Sequence, residues 1–477
     1  MFGWFEHPSP EQPTSVWNSA RRSSGDAESR TTLHQGAAGP VLDARKRQQT
    51  PGSCSSGPSI RPIGAPKATR RTASSAPGRG RYDRPVRSDW DAIVVGLGAI
   101  GSGAAYWLSR RFGDRVLGLE QFELGHQRGA GQDHSRIIRL SYHRPDYVRL
   151  ARRAYATWAE VEAEAGTSIV TRTGGLDVAP REAAIPLSDY TSAMDAEGVP
   201  YEHLDGPEIM RRWPQWRLGD EHHGLYQAES GIADPNRGNA AHQRLARARG
   251  ATLLEHSPVT RLRDAGGGIV EVETADGTRH HAPLVILAAD AWTNELLASF
   301  GRRIPLTIIQ AQVTYFACPD PADFAPDRFP IWIWMDDPSF YGFPTYGEAG
   351  PKAAEDVGGD EVTPNTRTYE RNEVGFARLT DFLARHLPGC LGPEIVTKTC
   401  LYTLTPDRDF VVDRLPEHPG VVIALGAAHA YKFASVLGRV LSELAADGVT
   451  ASAGDIERFR IDRPILLEAN PATNFMV

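Results

Sequence analysis

The segment WDAIVVGLGAIGSGAAYWLSRRFGDRVLGLE, residues 90–120, sets Gly96, Gly98 and Gly101 in a GxGxxG pattern and ends on Glu120. The chemistry this spacing serves is capture of a dinucleotide. Gly96 permits a tight turn, Gly98 lets a pyrophosphate approach the backbone, and Gly101 allows a helix to pack closely on a strand. Glu120, 24 residues after Gly96, is placed to accept hydrogen bonds from a ribose diol and to repel a 2′-phosphate. FAD and NAD both meet these demands. The other chemical candidate is sulfur, because Cys54, Cys318, Cys390 and Cys400 are the four cysteines in 477 residues. They are scattered, with no CxxC pair and no histidine at a ligand interval, so neither a disulfide framework nor a metal site is expected. A reducing compartment, the cytoplasm, follows as the expectation. A free cysteine most often packs as a small hydrophobe.

The elements that hold the glycines are readable around them. Ala92 to Val95 is a short apolar run ending in glycine, which suits a buried parallel strand. Ala104, Ala105, Trp107 and Leu108 continue the turn as a helix, and Val116 to Leu119 form a second strand that delivers Glu120. Further on, strand-rich blocks at 171–205 and 304–345 alternate with blocks that resume the nucleotide-domain pattern. Interleaving of that kind predicts an α/β protein in which a large cofactor is enclosed by two domains built from discontinuous pieces.

Composition sets outer bounds. With 41% hydrophobic and 23% charged residues the chain reads as globular, and no run approaches the roughly 18 apolar residues of a membrane-spanning helix. The net charge of −7 conceals an asymmetry: residues 1–88 carry 14 Lys/Arg against 6 Asp/Glu, a balance of +8, which leaves −15 for the rest. Rich in Ser, Gly, Pro and Arg and poor in aliphatic residues, 1–88 is expected to be a disordered basic tail. It lacks the interleaved aromatics of a nucleic-acid-binding segment, so no such partner is expected.

After Glu120 the sequence reads FELGHQRGAGQDHSRIIRLSYHRPDYVRLARRAYATWAEVE, with Ser135-Arg136-Ile137-Ile138-Arg139 following a glycine-rich loop. Here the chain resembles the monomeric sarcosine oxidase and N-methyltryptophan oxidase family of D-amino-acid-oxidase-type flavoproteins. The resemblance continues in order through TRTGGLDV (171–178), the segments 229–262 and 272–297, FYGFPTYGEAGPK (340–352) and the block 397–442. It implies FAD, held by a Rossmann-like domain from segments of about 89–170, 225–300 and 395–477, and an antiparallel-sheet substrate domain from about 171–224 and 301–394.

The same resemblance distributes roles. Cys400, in TKTCLYTLTPDRDF, stands where the family bonds its flavin to a cysteine sulfur, which requires a thiolate and hence cations to lower its pKa. Arg139 and Lys432 match the pair that holds a substrate carboxylate. Arg136 is expected beside the flavin ring, Lys352 on its oxygen side, and Tyr341 and His429 in the pocket, with Ser135 and Val259 among the cofactor contacts. Read without the resemblance, Cys400, Tyr341 and His429 are core residues, Arg139 is one half of an ion pair and Lys352 is a surface lysine. Two positions depart from the family: Asp356 replaces a histidine and is expected to repel a nearby carboxylate, and Asp290 replaces a glycine, so that the backbone's approach to the cofactor is expected to change there. The implied function is oxidation of a secondary amine, N-methyl amino acid or cyclic imino acid, with O2 reduced to H2O2. A dehydrogenase using another acceptor and a non-catalytic dinucleotide-binding protein are the alternatives.

Overall fold

The computed structural model describes residues 89–474, so the expected disorder of 1–88 and the placement of Cys54 lie outside the described residues. Two sheets dominate. In the first, six-stranded among the described residues, the order is Val411–Leu415, His418–Leu425, Leu284–Leu287, β1 (Ala92–Val95), β2 (Val116–Leu119) and Thr252–Leu254. All neighbours are parallel except the outermost pair, 411–415 with 418–425. β1 lies at the centre, with Ala92 opposite both Leu284 and Val116, and Val95 opposite both Leu287 and Leu119.

Both faces of this sheet are covered, which is why its strands are unbroken apolar runs. Ala92 and Val94 face a core that includes Ala104, Leu108, Trp158 and Leu437, whereas Ile93 and Val95 face one containing Leu262, Val272, Leu296 and Ile461. The first core is roofed by helices. α1 (Ala99–Phe112) leaves the glycine turn and packs on the helices Pro235–Ala248 and Ala434–Asp447, and Pro145–Ala165 packs on both of those. Arg110 and Arg111 occupy the last turn of α1, where cations complement the helix dipole.

The larger sheet runs Asp360–Glu361, Thr307–Phe316, Lys352–Glu355, Phe340–Phe343, Ile331–Trp334, Gly175–Pro180, His222–Gln227 and Glu202–Asp205, with Glu394–Leu404 also paired to 307–316. Its pairs are antiparallel apart from 331–334 with 175–180. The strand carrying Cys400, expected with the C-terminal nucleotide-domain segment, thus belongs to this sheet: Cys400 lies opposite Ala311. Arg136–Ile138 forms a separate three-stranded sheet with Gly231–Ala233 and Val170–Arg172. Among the described residues no helix is long and apolar enough to cross a membrane.

Candidate active site

A cavity of about 530 Å³ starts at the glycine turn and ends among charged side chains. Its first end is mostly backbone. Gly96 has φ +87°, and a Cβ on it would stand 2.5 Å from the Ala288 carbonyl oxygen, so only glycine fits. A Cβ on Gly98 would meet nothing within 4 Å, which leaves open the space through which a pyrophosphate reaches the start of α1. A Cβ on Gly101 would collide with the Gly96 carbonyl, so this glycine lets helix and turn touch. Glu120 is buried at the cavity edge and already accepts hydrogen bonds from the Leu97 N–H (2.8 Å) and the Phe122 N–H (3.1 Å). It therefore braces the glycine turn as well as lining the cavity, a structural load the sequence reading had not assigned. Val259 and Asn239 line the same end. These features fit a dinucleotide.

At Asp290 the backbone is left-handed, with φ +45°, a region that favours glycine. Its carboxyl lines the cavity, with a pKa pushed up to about 6 by burial.

The far end is built from side chains. Arg139, Lys432, His429, Tyr341, Asp356 and Arg408 all line it. Arg139 pairs with Asp177 at 3.2 Å and lies over the Tyr142 ring at 5.0 Å. Burial opposes its charge, but Asp177 together with the Tyr190 and Tyr142 hydroxyls outweighs burial and holds its pKa above the ordinary value. Lys432 has no carboxylate within ion-pair distance among the described residues. Burial first, then Arg139 and Arg408, hold its pKa well below that of a free lysine. His429 is held neutral by burial and by the same cationic surroundings, Lys432 and Arg408, and its Nε2–H donates to the Arg408 carbonyl at 2.9 Å.

Asp356 does not act as the free anion the sequence suggested. Its two oxygens take both terminal nitrogens of Arg408, at 2.8 and 3.0 Å, the bidentate geometry in which a carboxylate's charge is most fully matched. The expected repulsion of a carboxylate is corrected accordingly. Arg408 itself, buried at φ +59°, was missed because nothing in TPDRDF signals that its arginine turns inward to meet a residue 52 positions earlier.

Arg136 lines the cavity between the two ends, pinned by its own loop through the carbonyls of Ala130, Gln132 and Ser135. Lys352, Ser135 and Cys400 do not reach the wall of the large cavity. The Lys352 ammonium is buried behind it, bonded to Asp133 (2.9 Å) and the Ser135 carbonyl (2.8 Å) and 4.0 Å from the centre of the Phe343 ring, which does line the cavity. Cys400 faces a smaller cavity of about 80 Å³ that shares Arg136, Tyr341 and Tyr402 with the large one. The Tyr341 and Tyr402 hydroxyls are 3.1 Å apart. The thiol does not show the lowered pKa that attachment calls for: burial pushes it up, and Arg136 and Arg367 only partly offset that.

Cys318 and Cys390 are buried in the core beneath the larger sheet, as ordinary thiols are. Among the described residues no group of three or more His, Cys, Asp or Glu is arranged to hold a metal. One compositional signal went unread. Lysine occurs five times in the chain, and Lys352, Lys398 and Lys432, the three within the described residues, all stand at this site.

Residues 91–444 match the family model described as FAD dependent oxidoreductase. Monomeric sarcosine oxidase of Streptomyces avermitilis is 38% identical over 373 residues, 76% of this chain and 95% of that protein. N-methyl-L-tryptophan oxidase of Salmonella arizonae is 30% identical over 78% of this chain and 99% of its own length. The open form of NikD, described as an unusual amino acid oxidase essential for nikkomycin biosynthesis, superposes with a TM-score of 0.69 at 27% identity, covering 80% of this chain and all of that one. The chain belongs to the FAD dependent oxidoreductase family.

Proposed function

We propose that this flavoenzyme oxidises a secondary amine bearing a carboxylate, such as an N-methyl or cyclic amino acid, and passes the electrons to O2. The observation that carries the reading is Lys432, a half-buried lysine with no carboxylate within ion-pair distance among the described residues, beside Arg139 at the far end of the cavity. Arg139, Arg136 and Arg408 each have a carboxylate within ion-pair distance, so one anion from outside completes the set. A substrate carboxylate there raises the Lys432 pKa back toward its ordinary value and takes up a proton in doing so. It also fixes the amine-bearing carbon along the cavity toward Arg136, which is the positioning part of catalysis. His429, neutral and oriented by the Arg408 carbonyl, adds no charge that would hold the substrate amine protonated.

When bound, FAD supplies the acceptor for the hydride leaving that carbon and delivers the electrons to oxygen. Residues at the glycine turn, with Glu120, Asn239 and Val259, would hold its nucleotide, and Arg136 would stand at its ring. Attachment through Cys400 is supported by the wall of Arg136, Tyr341 and Tyr402 that the two cavities share. The resulting imine hydrolyses to an amine and a carbonyl compound.

The test is anaerobic mixing of purified enzyme with sarcosine, other N-methyl amino acids and cyclic imino acids, followed by admission of air. Bleaching of the flavin by carboxylated amines and peroxide release on aeration are expected. Equal bleaching by amines lacking a carboxylate would overturn the substrate class, and bleaching without peroxide would make the protein a dehydrogenase. Yellow colour that stays with the acid-precipitated polypeptide checks the Cys400 linkage.

A further inference from the structure

Beside the site lies a group of charges that the substrate reading does not use. Asp133 sits in the loop before Arg136 at φ +103°, a conformation that only a residue held by its surroundings retains. Its Oδ2 accepts from Lys352 at 2.9 Å, and its Oδ1 accepts from the Tyr315 hydroxyl at 2.8 Å and from Lys398 at 3.3 Å. The Arg136 guanidinium stands 3.6 Å away. Three cations therefore converge on one buried carboxylate. Lys398 continues outward to Glu348 at 2.8 Å, and Glu348 to His134 at 3.1 Å, through side chains 26–31% exposed.

We propose that Asp133 is a positioning residue for the oxygen half of the reaction: it keeps Lys352 protonated and in place, as the hub of a line of polar side chains running to the surface through Lys398, Glu348 and His134. This rests on the oxidase reading given above. That half-reaction passes two electrons and two protons from the reduced flavin and solvent to O2, giving H2O2 and oxidised flavin. Negative charge develops on oxygen first, and a fixed ammonium nearby is what stabilises it.

The remaining groups facing Lys352 cannot hold its proton alone. Ser135 offers a carbonyl, Tyr315 and Phe343 offer ring faces at 5.7 and 4.0 Å, Cys400 is a half-buried thiol, and Arg136 repels. Burial lowers the Lys352 pKa to about 8, and Asp133 is the chief group opposing that fall. Asp133 in turn stays ionised because Lys352 and Arg136 outweigh its own burial. A lysine with a pKa near 8 is half charged in weakly alkaline solution, so a single neighbouring charge decides its state.

Lysine labelled at Cε and Nζ gives at most five resonances from the holoenzyme, and Lys352→Met identifies the one in question. Its titration midpoint is expected near pH 8 in the parent and at least one unit lower in Asp133→Asn. Oxygen reoxidation of dithionite-reduced holoenzyme should fall by about fivefold at pH 8 in that variant and recover as the pH is lowered, since a one-unit drop takes the charged fraction from about one half to about one tenth. Asp133→Glu should restore both readings. A midpoint that does not move, or one that moves while reoxidation is unchanged, overturns the proposal. If Asp133→Asn does not fold, Lys398→Met decides: loss of the competing cation should raise the Lys352 midpoint and carry the alkaline decline of reoxidation upward with it, and immobility of either overturns the proposal. Dithionite reduction needs no substrate, so a wrong amine shows as absence of substrate bleaching. A wrong electron acceptor shows as slow reoxidation of the parent itself.

Discussion

The two ends of the cavity are made of different material. At the nucleotide end recognition is by backbone: a turn that only glycine can follow, open space at Gly98, and one carboxylate whose oxygens also hold the turn closed. At the other end, where the substrate is proposed to bind, the wall is made of paired side chains, Arg139 with Asp177 and Arg408 with Asp356, around a Lys432 that has no carboxylate within ion-pair distance among the described residues. A backbone site tolerates almost no change of shape, whereas a side-chain site tolerates changes of shape and is sensitive to changes of charge.

The largest effect should therefore come from shape at the first end. Gly98→Val fills the open space, and the variant should retain its fold by circular dichroism but be purified with little flavin, because the nucleotide must dock before any bond to Cys400 can form. Retention of a full complement would place the pyrophosphate elsewhere. Next is charge at the second end: Lys432→Met should lower kcat/KM for a carboxylated amine by about 10²-fold, the equivalent of a charge-assisted contact of ~2–3 kcal/mol. The same substitution gives a pH signature. Because the Lys432 pKa is depressed, the charged form is favoured as pH falls, so KM for the carboxylate should rise with pH in the parent and lose that dependence in the variant. Asp356→Asn should act mainly on stability, since it removes a bidentate carboxylate from the buried Arg408; breaking such a pair typically costs about 3–5 kcal/mol, visible as a lowered Tm. Smallest is Asp290→Gly, which relieves a left-handed backbone at a cost in chain entropy and should shift Tm by only about 1–3 °C.

This contrast also governs what was legible in the sequence. The glycine turn and Glu120 are contiguous, and their spacing is itself the geometry, so fold class and nucleotide end could be read from one segment. The cations Arg136, Arg139, Lys352 and Lys432 were reached through resemblance. Their acidic partners Asp133 and Asp177 were not, because a pair joined across 219 or 38 residues leaves no local pattern. Asp356 shows the cost of reading a charge alone: its sign was right and its consequence was wrong until Arg408 was seen against it. Cys400 was read for its reactivity, yet burial raises its pKa among the very cations expected to lower it.

The order in which the chain visits its two sheets carries a consequence for how such proteins diversify. Strands at 92–119 belong to the six-stranded sheet, those at 175–227 to the larger one, those at 252–254 and 284–287 to the first again, those at 307–404 to the second, and those at 411–425 return to the first. No single cut separates the sheets, so neither can be exchanged by one crossover between genes. The larger sheet is instead carried on two inserts, each of which departs from the parallel sheet and comes back to it. Grafting that sheet from a relative means exchanging both inserts together, and Arg139, on the chain before the first insert, must keep its aspartate at position 177 within it.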